Sequence, residues 1–137
     1  MSRWLLRIAG LYLIAGICLG IFMAASHNHS QMPLHAHLNL LGWVTLGMVG
    51  LWYRAQPEAA TTWMAKAHFV LHNAALPVLA VALFQILQGN EAVEPFAAGA
   101  SIVIGIGALC LVANIWRHTM PASEPTVPRA SAAAAAR

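Results

Sequence analysis

Apolar and polar positions in this chain are distributed in blocks rather than in the alternation of a half-buried strand or the stripe of an amphipathic helix. Four long apolar runs are separated by short polar connectors. At about 1.5 Å per helical residue, each run is long enough to cross the roughly 30 Å hydrocarbon core of a bilayer. The pattern predicts spans over residues 4–25, 31–54, 62–88 and 95–117. This is an all-α fold, an integral membrane four-helix bundle occupying residues 1–120. Residues 121–137, rich in Ala and Pro, are expected to form a disordered tail.

Punctuation within the runs refines the helices. Ser30 is expected to cap the second span, with Pro33 in its first turn, where a missing N–H costs little. Thr61 or Thr62 is placed to cap the third. Pro77 lies inside the third span and cannot bond to the Asn73 carbonyl, so a kink is expected there. Gly16 and Gly20 form a G-x-x-x-G pair that lets another helix approach closely, and Gly99, Ser101, Gly105 and Gly107 suggest the same for the fourth span. Arg3 and Arg7 precede an apolar stretch ending in Ala24, Ala25 and Ser26, as in a cleavable signal. The stretch is longer than a secretory apolar region, so a retained anchor is expected.

Composition narrows the class. Hydrophobic residues make up 60% of the 137 and charged residues only 8%, which excludes an ordinary soluble domain. The net charge of +3 comes from basic residues scattered singly between apolar runs, so a nucleic-acid surface is not expected. Cys18 and Cys110 each sit inside an apolar run and read as buried hydrophobes. With the N-terminus inside, Arg3, Arg7, Arg54, Lys66, Arg117, Arg129 and Arg137 all fall on the cytoplasmic side, while Glu91 and Glu94 fall opposite. The positive-inside rule therefore gives an N-in/C-in topology in a bacterial inner membrane.

That topology turns His27, His29, His35 and His37 toward the periplasm, at the mouth of the second span. Imidazole is costly in hydrocarbon and is the commonest metal ligand, so the cluster marks a candidate site. His35 and His37 project about 200° apart on a regular helix, so they serve two sites rather than one. His68 and His72, four residues apart, stack on one face of the third span, as helical chelating pairs do. His118, beside Arg117, reads as interfacial. No nucleophile elbow, phosphate-binding glycine loop or dinucleotide fingerprint is present.

The segment LHAHLNLLGWV, Leu34 to Val44, resembles the H-x-H haem-ligand helix of the haem-copper oxidase and nitric oxide reductase catalytic subunits. AHFVLHNAALP in the third span is similar to segments of small four-span, subunit I-like proteins. The resemblance implies haem b held by His35 and His37 as axial ligands, one to each of two haems on opposite sides. His68 and His72 are further cofactor-binding candidates, and Trp43, Leu38 and Leu41 would form the apolar shell. It implies electron transfer or gas and redox sensing with a redox partner. A homotrimer would regenerate the twelve helices of the large subunits, with His35 of one copy meeting His37 of the next. The His-Pro-Glu-Val-Tyr copper motif and an adjacent His-His pair are absent, so oxygen or nitric oxide reduction by this chain alone is not expected. Two other readings stay open: a copper-handling protein using His27, His29, Met32, His35 and His37, and a non-catalytic assembly subunit.

Overall fold

The computed structural model describes residues 1–119; the predicted tail lies outside them. It is built from four long helices, each apolar enough to cross a membrane. They are α1 (Ser2–Ser26), α2 (Met32–Ala55), α3 (Trp63–Ile86) and α4 (Glu94–Thr119), with single 3₁₀ turns at Ala59–Thr61 and Glu91–Val93. Consecutive helices run antiparallel. α1 packs along α2, α2 meets α3, and α3 packs along the length of α4.

Two apolar clusters hold the bundle. At the end carrying the chain's N-terminus, Leu5 and Ala9 meet Leu46, Val49 and Tyr53 of α2, Ala65 of α3 and Leu111 of α4. Toward the other end, Leu76, Leu79 and Ala82 of α3 meet Ala97, Ala100 and Ile104 of α4. Only 17% of the most apolar window of α1 is buried, and Ile14, Ile17, Ile21 and Phe22 point outward. A surface this apolar is suited to lipid rather than water.

A polar knot joins three helices at the N-terminal end. Asn114 of α4 is fully buried; its amide donates to the Ala59 carbonyl at 2.9 Å and lies 3.4 Å from the Tyr53 hydroxyl. The Thr62 hydroxyl lies 3.0 Å from the Asn114 side-chain oxygen and accepts from the Ala65 N–H at the start of α3. Thr62 is thus the cap of α3, and the cap is tied to α4. Interhelical hydrogen bonds in membranes are typically worth about 0.6 and at most about 1.7 kcal/mol each. Asn114→Leu is accordingly expected to destabilise the bundle by about 1–3 kcal/mol, read as a lower unfolding midpoint in detergent titrated with a denaturing surfactant.

Several local expectations are corrected. Ser30 does not cap α2: its N–H is taken by the Asn28 side chain in a tight turn, and Gln31 occupies the cap position without a side-chain bond. α2 is not regular throughout. It is α-helical over Met32–His37, π-helical over Leu38–Thr45 and α-helical again over Leu46–Ala55. Gly107 does pack on α3, where an added Cβ would sit 3.4 Å from the Leu71 Cβ; a Cβ added at Gly99 or Gly105 would meet nothing within 4 Å among the described residues. Cys18 is likewise exposed and Cys110 half-buried, because both lie off the packed faces of their helices. α3 runs on through Pro77 to Ile86, leaving the Asn73 carbonyl without its usual amide.

Candidate functional site

The sequence between α1 and α2 sets the site's outer edge. His27 closes α1 in a left-handed conformation (φ 52°), donating its N–H to the Ala24 carbonyl. His27 and His29 are exposed, as is Met32. Among the described residues no group of three or more His, Cys, Asp and Glu is placed to hold a metal ion.

His35 and His37 occupy the α-helical start of α2 and diverge, each to a different surrounding. His35 lies over Gly20 of α1, where an added Cβ would be 3.1 Å from the ring carbon Cε1. One turn on, Asn39 fills the space over Gly16, where a Cβ would lie 2.6 Å from its amide nitrogen. The glycine pair of α1 therefore receives the His35–Asn39 pair of α2, side chain into groove. Asn39 donates to the His35 carbonyl at 2.8 Å, and the same amide nitrogen is 3.4 Å from His35 Nε2. His35 Nδ1 is buried and has no partner.

His37 points elsewhere. Its Nδ1 is 2.7 Å from the Pro33 carbonyl. A carbonyl only accepts, so Nδ1 carries the proton and the neutral ring leaves a lone pair on Nε2. A bond of this kind fixes tautomer and orientation in metal-ligating histidines. The ring is half-exposed, beside an apolar hollow of about 180 Å³ lined by Ala36, His37, Leu40 and Leu41.

The π-helical stretch follows directly. Its wider register is accompanied by Gly42, which lies against Tyr12 of α1 closely enough that an added Cβ would be 2.6 Å from the Tyr12 Cβ. The Thr45 hydroxyl donates back five residues to the Leu40 carbonyl. The Leu41 carbonyl accepts from His72 Nε2 at 3.1 Å, which joins α2 to α3. Leu38 is buried, whereas Trp43 of the expected apolar shell is 38% exposed and faces out.

His68 and His72 are inside the bundle, with 0% and 2% exposure, and their rings are 5.2 Å apart. Neither His68 nitrogen has a partner, nor does His72 Nδ1. The structure thus separates two imidazole pairs, a divergent one at the start of α2 and a stacked one in the core of α3; Leu41 lines the hollow beside His37 and accepts from His72. His118 bonds its own helix through Nδ1 to the Asn114 carbonyl at 2.9 Å.

Sequence reasoning missed Asn39, the Leu41 carbonyl and the buried Gln31, whose side-chain oxygen has no partner. Asn39 was detectable: it stands four residues after His35 in an otherwise apolar run, the spacing at which helical side chains meet. No family model, curated protein or solved structure matches this chain.

Proposed function

We propose that the protein is a haem b-binding protein of a bacterial inner membrane, N-in and C-in, with its α1–α2 connection facing the periplasm. The observation that carries this reading is the pinned His37 ring. Its Nδ1–H is committed to Pro33 and the ring lines an apolar hollow, a setting that would suit Nε2 to hold a haem iron. The placement of Arg3, Arg7, Arg54, Lys66 and Arg117 toward one set of helix ends supports the orientation.

The hollow beside His37 accommodates only one edge of a porphyrin. A second copy of the chain is the proposed cover, arranged as a closed ring, a trimer, in which each copy offers His37 on one flank and His35 on the other. His35 rests on Gly20, so it reaches a neighbour by swinging off α1. Nδ1 has no hydrogen bond to give up in that movement. Haem, when bound, supplies one-electron redox chemistry or a gas-binding iron. His37 and His35 would hold the iron, Leu38, Leu40 and Leu41 would exclude water from it, and the Pro33 carbonyl would tune the His37 ligand. The role is electron transfer or gas and redox sensing with a redox partner, and not oxygen reduction.

Titrating the detergent-purified chain with haemin tests this. The expected result is a saturable Soret band with wild-type protein and none above detergent background with His37→Ala. Equal binding by both would overturn the assignment of His37.

A further inference from the structure

We propose a second and separate site: Cu(I) bound inside the bundle by His68 and His72. The two residues are four apart on α3, one above the other on a single face about 6 Å apart. Both are buried, at 0% and 2% exposure.

Ligand geometry follows from the hydrogen bonds. His72 donates from Nε2 to the Leu41 carbonyl, which places its lone pair on Nδ1, one of the nitrogens without a partner. His68 has both nitrogens unengaged, so either one can turn to the same point. Metal–imidazole bonds of about 2 Å put two ligand nitrogens roughly 4 Å apart or less. Ring centres 5.2 Å apart and tilted by 54° are close enough for one nitrogen of each ring to reach a single ion. Gly107 closes the back of the site: its missing side chain brings α4 against the backbone of His68 and His72.

Charge selects the ion. The chain's acids are Glu58, Glu91, Glu94 and Glu124, none of them within the helical stretch around the pair. A divalent cation would be buried without a compensating anion and short of the four ligands zinc prefers. Cu(I) carries one charge and suits neutral imidazole donors. The unpartnered nitrogens are then explained as ligand atoms, an explanation that buried polar groups normally demand.

The test is anaerobic competition between the full-length chain in detergent and a chromophoric Cu(I) chelator, with X-ray absorption on the loaded protein. The wild type is expected to retain one Cu(I) with nitrogen scatterers. His68→Leu/His72→Leu should retain none, and His27→Ala/His29→Ala should match the wild type. His68→Gln alone, a variant less disturbing to packing, should keep the ion at least about tenfold more weakly. An absence of Cu(I) retention by the wild type, retention unaffected by the His68/His72 change, or loss on replacing His27 and His29 would each overturn the proposal.

Discussion

Gly42→Leu should unseat α1 from α2 and lower the unfolding midpoint more than any other single glycine replacement. Even a Cβ at this position meets the first side-chain atoms of Tyr12, which are held close to the backbone of α1 and cannot swing clear. Relief requires the helices to separate. Overpacking of this kind costs about 1–3 kcal/mol, with more expected where backbone has to move. Gly99→Ala supplies the contrast: nothing lies within 4 Å of an added Cβ, and alanine favours the helix by up to about 1 kcal/mol. Thermal aggregation in detergent, followed by size exclusion, should show the first variant falling and the second level or rising.

Replacing His35 and His37 singly should produce two different proteins. His37→Ala removes the ligand whose lone pair is fixed by Pro33, and the bound haem is expected to disappear. His35→Ala should leave haem bound through His37 but without its second imidazole, changing a low-spin spectrum to a high-spin one. The asymmetry comes from the two surroundings, an open apolar flank for one ring and the α1 groove for the other. If His35 acts only as a packing residue over Gly20, the spectrum of the His35 variant stays low-spin and only its stability falls. Absorption spectra and detergent melts of the two variants therefore separate ligation by His35 from packing by His35.

The four helices were legible because bilayer-length apolar runs leave little choice of element. The divergence of His35 from His37 was legible for a similarly local reason, the angle between residues two apart on a helix. So was the stacking of His68 on His72. What the sequence hid depends on partners far along the chain. Asn114 meets Tyr53, Ala59 and Thr62 from more than fifty residues away, and nothing near Asn114 announces them. The π-helical turn occurs where Tyr12 crosses Gly42, a tertiary event. Gly16 and Gly20 announced a close helix approach, yet the guests are the polar pair Asn39 and His35, and the periodicity of α1 alone cannot name them. Gly99 and Gly105 carry the same local signature and pack against nothing among the described residues, since small residues permit contact without requiring it.

The most direct check on the account is a reduced-minus-oxidised absorption spectrum of membranes containing the wild-type chain, beside membranes containing His37→Ala at equal abundance. A low-spin haem b signal in the first and its absence in the second is the expected pair of results. A featureless wild-type spectrum, or a haem signal that persists undiminished when His37 is gone, would contradict it.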